Sequence, residues 1–397
     1  MIRRGGLVVL ASVCAVAVST IYAIQPVLKT AGSDLGLTEG ALGWLVAAGQ
    51  FGYLAGLVLL VPLGDVFNRR TLIVGHLMLT ATGAAITAVA PDGVIAAAGM
   101  AITGLFAVVV QIAVAYVAAN SSPGERGRNI GMVTAGVVAG ILGIRVVGGA
   151  LGDTLGWRAV YAVLAVLCVG LALTVRITFP PDVRLAKTPY PSVLAAAGRL
   201  VVTDRFFLSR GLIAFFLFAS FGTLWSGLAL PLGAAPWQFG TTTIGLFGLA
   251  GLVGAAGASR AGLWADAGRA QAVTGWSLAL LAASWILTVH TTPTLWMLIA
   301  GVVLLDFAVQ AVHVSNQHLL TAAYPERSSS AIGTYMAFYS LGSALGAVTT
   351  TWAYTAAGWR ASCLLGAAYA VAALIVWTLA RNTTASPCAV PAATEAA

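Results

Sequence analysis

Charge is what this sequence lacks most. Charged residues make up 8% of its 397, where a soluble chain carries roughly a quarter. Apolar residues reach 59%. Such a chain cannot cover a water-facing surface, so most of it is expected to lie in lipid. Lysine is nearly missing, with only Lys29 and Lys187. Neither stands in a phosphate-cradling G-x-x-x-x-G-K-[ST] loop, which excludes a pump driven through such a loop. No G-x-S-x-G nucleophile elbow occurs. His313 and His318 are poorly spaced to share a metal and have no third ligand near them, so no metal site and no enzyme activity are expected. Of the four cysteines, Cys14, Cys168 and Cys363 fall in apolar runs and Cys388 in the tail. Their spacing suggests no disulfide.

What the chain does have is twelve apolar runs, each of about 19–30 residues, between residues 7 and 380. About 20 residues of helix cross a ~30 Å hydrocarbon core. Helices are expected because each span must satisfy its own backbone groups. The alternating ten-residue segments of a membrane barrel do not occur. Arg3-Arg4 and the apolar run behind them could also be read as a secretory signal. Eleven further spans and the repeat described below favour an uncleaved first span. With the N-terminus inside, 16 of the 20 basic residues fall on inner segments, among them Arg69, Arg70, Arg205, Arg210 and Arg269. Lys29, Arg158 and Arg360 fall outside, and Arg145 lies within a span. This asymmetry places both termini in the cytoplasm. Anionic lipid headgroups account for the net charge of +8 without a nucleic-acid partner. The heavy use of Arg, Ala and Gly suggests a GC-rich bacterial genome, and so a bacterial cytoplasmic membrane.

The chain repeats itself. Asp65 recurs as Asp266, and Glu125-Arg126 recurs as Glu326-Arg327, each 201 residues on. The phrase Gly156-Trp157-Arg158-Ala159 returns as Gly358-Trp359-Arg360-Ala361, 202 residues on. With Ile130-Gly131 returning as Ile332-Gly333, 202 residues on, four phrases at nearly one offset divide the chain into two six-helix units. The expected parts are a bundle over 1–180, a cytoplasmic linker over 181–205, a second bundle over 206–381 and a disordered tail over 382–397. An even number of spans per unit makes the repeats parallel, as in alternating-access carriers with a site between the halves.

The loop Pro62-Leu63-Gly64-Asp65-Val66-Phe67-Asn68-Arg69-Arg70 resembles the signature loop of the major facilitator superfamily. Asp65, Arg69 and Arg70 match; Val61 and Asn68 stand where glycines are usual. In the second copy Gly262, Ala265 and Asp266 match, but Gly268-Arg269 arrive one residue early. Gly127, Gly136 and Gly140 have the spacing of the superfamily's antiporter motif, with Ile141 in place of its proline and Ile144-Arg145 in place of its last glycines. Tyr22-Ala23-Ile24-Gln25-Pro26 and Asp306-Phe307-Ala308-Val309-Gln310 resemble the bacterial twelve-helix drug:proton antiporter group, in its sugar- and nucleoside-efflux branch. The resemblance implies an all-α membrane protein, with twelve transmembrane helices in two pseudo-symmetric six-helix bundles. It also implies that Asp65, Arg69, Arg70, Asp266 and Arg269 latch the halves on one side.

Ionisable groups at membrane depth are few, and each costs about 2.5–3.5 kcal/mol if unpaired at the centre. Asp306 is the carboxylate well inside a span, and Arg145 the arginine. Their depths, roughly 17 and 10 Å from the outer ends, leave an ion pair open. Asp306, Gln310, His313 and Gln317 fall on one face of span ten. That face is either a polar seam between helices or the lining of a central cavity. The resemblance places spans one, four, seven and ten at the cavity, which adds Tyr22, Gln25 and Gln111. Phe215, Phe218, Phe221 and Trp225 give span seven an aromatic face, suited to packing or to a flat substrate. Asp306 is the first candidate for the proton carrier, with Arg145 as its partner. His313, whose imidazole titrates near neutrality when unperturbed, is the second. The expected function is secondary transport: proton-coupled efflux of a small organic compound or drug by a monomer, with the proton gradient as energy source and no cofactor. Proton-coupled uptake of a small metabolite is the alternative.

Overall fold

The computed structural model describes residues 4–65, 67–121, 126–180, 190–257, 264, 268–290, 294–324 and 328–383. Among them every regular element is helical. Ten helices are long and apolar enough to cross a membrane. One of these, Ala331–Ala380, changes direction at Ala357 and Gly358, whose backbones are not helical. Thr241–Gly254 is apolar but shorter. The division into twelve spans therefore rests on where helices break as well as on their length.

The spans are α1 (Arg4–Asp34), α2 (Glu39–Leu59), α3 (Arg69–Val89), α4 (Gly93–Val117), α5 (Arg126–Leu155) and α6 (Trp157–Thr178). The second half holds α7 (Arg205–Leu232), α8 (Thr241–Gly257), α9 (Ala270–Thr288), α10 (Leu295–Ala323), α11 (residues 328–356) and α12 (residues 359–380). The expected linker holds a helix of its own, Tyr190–Thr203, whose Leu200 is buried. Tyr190 donates its hydroxyl to the Leu59 carbonyl at the end of α2 (2.7 Å). Asp204 then caps α7 by accepting from the N–H groups of Phe206 and Phe207. Residues 181–189 and the tail beyond 383 lie outside the described residues.

The repeated phrases adopt one geometry. Gly156 and Gly358 both have positive φ, at 85° and 70°, which a glycine accepts without strain. Each reverses the chain between two spans. Trp157 then donates its indole N–H to Asp34, and Trp359 donates to the Thr288 carbonyl. Arg158 adds an ion pair to Asp34.

Helix pairing repeats as well. α1 packs on α5, α2 on α4 and α3 on α6; α7 packs on α11, α8 on α10 and α9 on α12. Adding six to each number of the first set gives the second. Across the halves α2 meets α11 and α5 meets α8, two seams that a two-fold axis exchanges. Because lipid tails are as apolar as leucine, such contacts depend on close approach over small residues. Gly136 and Gly140 of α5 lie against the carbonyls of Ala11 and Ala15, and Gly342 and Gly346 of α11 against those of Phe215 and Ala219. Two glycines of the span-five motif thus have a packing role. Outward faces carry exposed Val166, Trp276 and Trp352, as faces meeting acyl chains should.

A side chain at Gly140 has nowhere to go, whereas Gly143, one turn on, faces open space. Gly140→Val is expected to cost at least the 1–3 kcal/mol or so of an overpacked core, and Gly143→Ala almost nothing. Thermal unfolding of the two purified variants, read by tryptophan fluorescence, checks this. Equal midpoints would remove the packing role.

Candidate transport site

The first span of each half is broken before its far end. α1 runs as Arg4–Tyr22 and then Ile24–Asp34, and α7 as Arg205–Gly227 and then Ala229–Leu232. A proline explains each break. Pro26 has no N–H to offer the Tyr22 carbonyl, and Pro231 has none for Gly227. The two breaks bring Tyr22, Gln25 and Trp225 to the interface between the halves.

Arg145 of α5 sits between them, 2% exposed. Its Nε and Nη2 donate to Gln25 Oε1 at 3.4 and 3.2 Å. The guanidinium lies 3.6 Å from the centre of the Trp225 ring, 5.6 Å from that of Phe221 and 5.9 Å from that of Tyr22. An aromatic cage of this kind stabilises a desolvated cation by about 2 kcal/mol or more. Nη1 has no partner. Beside it Gln25, Pro26, Trp225, Leu228 and Ala229 line a cavity of about 10 Å³, near the size of one water molecule.

Asp306 of α10 is 1% exposed, and its Oδ2 has no hydrogen-bond partner. Both it and Trp225 lie against Gly251 of α8. Arg145 and Asp306 feel each other electrostatically, yet they are not within ion-pair distance. The pair left open by the sequence is therefore unmade in this conformation.

Further along α10, His313 shares hydrogen bonds with the Tyr335 hydroxyl (3.1 Å) and with Gln317 Nε2 (3.0 Å). The Phe218 ring meets the His313 ring edge-on at 5.3 Å. Gln310 is half-buried on the same helix. Gln111 donates to the Tyr53 hydroxyl at 3.0 Å. The hydroxyls of Tyr22 and Tyr339 are in direct contact across the halves. Sequence reasoning missed Gln50, Tyr53, Tyr339 and Ser340. Ser340 of α11 donates to Gln50 of α2, so these residues belong to the second seam. The signal that could have found the centre is the proline in the first span of each half.

The structure revises the reading of the charges. Arg210, counted with the inner-segment arginines, is fully buried in α7, so a second span arginine exists. Arg70 donates to the Phe179 carbonyl (3.0 Å) and so ties α3 to the end of α6 within one half. Asn68, in a glycine's usual place, caps α3 by accepting from Thr71 N–H. Arg69 opens α3 and is also engaged. Arg269, at the start of α9, lines a groove with Trp264, Trp276 and Phe307 of its own half. The side chain of Asp65 and the whole of Asp266 lie outside the described residues. Arg70 thus holds its own half, and among the described residues no contact of Arg70 or Arg269 with the other half is seen.

A clasp between the halves stands instead at the far end, opposite the termini. Both carboxylate oxygens of Asp153, in the last turn of α5, accept from backbone N–H groups at the start of α8: Thr241 at 2.8 Å and Thr242 at 2.6 Å. The Thr241 hydroxyl joins them. Lys29 donates to the Gly233 carbonyl (2.9 Å), and on the other seam Thr351 donates to the Gly40 carbonyl (3.3 Å). The halves are thus closed at this end.

Two bundles of like packing, meeting at buried charges and broken helices, have the plan of a membrane transporter. A model of the Major Facilitator Superfamily matches residues 8–267 and 228–396, and the chain belongs to that family. It is 38% identical over 372 residues to the uncharacterized transporter YgaY of Escherichia coli O157:H7, covering 94% of each chain. It is 28% identical over 259 residues to a chloramphenicol resistance protein of Streptomyces lividans, covering 59% of this chain and 64% of that one. The fold resembles that of a bacterial homolog to the human lysosomal transporter Spinster, in an inward-facing and occupied conformation, with a TM-score of 0.80 at 17% identity. That match covers 95% of this chain and 96% of the other. The protein is accordingly a multi-pass membrane transporter and not an enzyme.

Losing the Asp153 cap should cost the closed far end about 1 kcal/mol, a shift of roughly fivefold toward separation. In a variant freed of its native cysteines, spin labels at the exposed Leu155 and Ala235 report that distance. Asp153→Ala is expected to enlarge the population at long distance. An unchanged distribution would make the clasp incidental.

Proposed function

We propose that this transporter is a proton-coupled exporter, exchanging a small organic compound for protons by alternating access. The observation that supports this best is the pair Arg145 and Asp306. Two opposite charges, buried on helices that flank one seam, stand close without pairing, with Trp225 beside both. Approach of a guanidinium favours an ionised carboxylate, and its withdrawal favours a protonated one. Rocking of the halves about the α5–α8 seam changes that separation, so the carboxylate takes and gives up its proton as access alternates. Arg145 exchanges partners in this cycle, from Gln25 and the aromatic cage to Asp306. The aromatic rings it leaves then offer a surface to a flat or apolar compound. His313 remains the second candidate for the proton.

In the family's manner, Asp65, Arg69, Arg70, Asp266 and Arg269 would latch the terminal end when the far end opens. The positive-inside asymmetry puts both termini in the cytoplasm of a bacterial cell membrane. The central site is complete within one chain, so the proposed working unit is a monomer. The drug-resistance names among the relatives favour export as the direction.

The test uses vesicles containing the purified protein, loaded with a pH-sensitive dye and given an acid interior. A panel of antibiotics, sugars and nucleosides is added outside. At least one compound is expected to speed collapse of the gradient, and Asp306→Asn to reduce that rate tenfold or more while still binding the compound. Equal rates would move the proton to His313. Compound and proton travelling in the same direction would make the protein a proton-coupled uptake symporter.

A further inference from the structure

The C-terminal bundle buries a charge that the central site does not use. Arg210 of α7 has no exposed surface. Its Nη1 donates to Gln271 Oε1 on α9 (3.2 Å) and to Asn316 Oδ1 on α10 (3.4 Å), and its Nε donates to Ser209 Oγ (3.3 Å). These acceptors are two amides and a hydroxyl, all neutral. Among the described residues no carboxylate lies within ion-pair distance of Arg210; its other neighbours are the ring of Phe206, 5.5 Å away, and Tyr335. Its Nη2 has no partner. Neither does Asn316 Nδ2, which belongs to the amide already touching the guanidinium, and Asn316 is itself fully buried. Phe206, Phe207 and Tyr335 wall off the surroundings.

The cluster thus has donors in excess and one uncompensated positive charge. Burying a cation in that state is costly, and the cost falls when an anion supplies both charge and lone pairs. Arginine presents five donors and accepts nothing, so the missing group must be an acceptor. A single guanidinium balances a single negative charge, which disfavours phosphate and sulfate. Asn316 is ten residues from Asp306 on one helix, about 15 Å away, so this position is separate from the Arg145 centre.

We propose that Arg210 and Asn316 form a binding site for one small monovalent anion, a halide or the carboxylate of a small organic acid. The site does not depend on the proton-coupled reading of the centre.

The purified protein is exchanged into a salt of gluconate, a bulky polyhydroxy anion that serves as the reference, and titrated with chloride or acetate. Unfolding is followed by tryptophan fluorescence. A saturable rise of about 3 °C or more is expected well above half-saturation. A response to chloride alone assigns a halide site, and a response to acetate assigns a carboxylate site. Arg210→Gln removes a core cation and can fail to fold, so Asn316→Asp carries the test. Its built-in carboxylate should raise the midpoint in gluconate to the wild type's anion-saturated value and abolish the response. A wild type equally stable in all three salts overturns the proposal. So does an Asn316→Asp protein that keeps the full anion response.

Discussion

A backbone in lipid has no water to bond with, and this constraint organises the whole molecule. It makes each span a helix, and it makes any break in a helix expensive unless protein surrounds it. α1 and α7 nevertheless break, each one turn before a proline, and both breaks face the interface between the halves. The place where the helical rule is suspended is also where Arg145 and Asp306 are buried. Loosened backbone, unpaired charge and aromatic rings occupy one region because each needs shelter from acyl chains.

Close approach of the helices follows from the same solvent. Without a hydrophobic drive between spans, α5 and α11 meet α1 and α7 through glycines set against carbonyl oxygens. Those contacts leave little freedom inside a bundle. The seams between bundles carry polar clasps instead: Asp153 on Thr241 and Thr242, Lys29 on Gly233 and Thr351 on Gly40. Hydrogen bonds of that kind can be exchanged at modest cost. The molecule is therefore stiff within halves and separable between them, as alternating access requires.

Much of this was legible in the sequence. Spans follow from apolar runs, and the two-fold plan from phrases 201–202 residues apart, since lipid imposes length and repetition imposes pairing. The centre was legible in part. Asp306 and Arg145 stand out because charges at membrane depth are rare, but the stand-off between them depends on Trp225 and Gln25, whose side-chain positions no spacing reveals. Arg210 was misread because five residues from a helix start looks like an interfacial arginine. Its burial comes from Gln271 and Asn316 on other spans and from aromatic rings of its own helix and of α11. Asp153 went unnoticed because its partners are backbone N–H groups on the other half, and backbone donors leave no mark in a sequence.

The symmetry is one of packing and not of chemistry. By the 202-residue offset, the counterpart of Arg145 is Ala347, which lies tight against Gly43 on the α2–α11 seam. The counterpart of Asp153 is Thr355, a hydroxyl where the other seam has a carboxylate. By the 201-residue offset, Asp306 answers to Leu105. One seam thus has a small neutral residue where the other has its arginine, and can serve as a bearing. The other has gathered the central arginine and the clasp, with the acid of α10 packed against it. A two-fold carrier with a central arginine on both seams would bear the cost of burying a cation twice. Keeping it on one seam avoids the second cost. In the proposed cycle it also lets a single guanidinium report the movement of the halves to a single carboxylate.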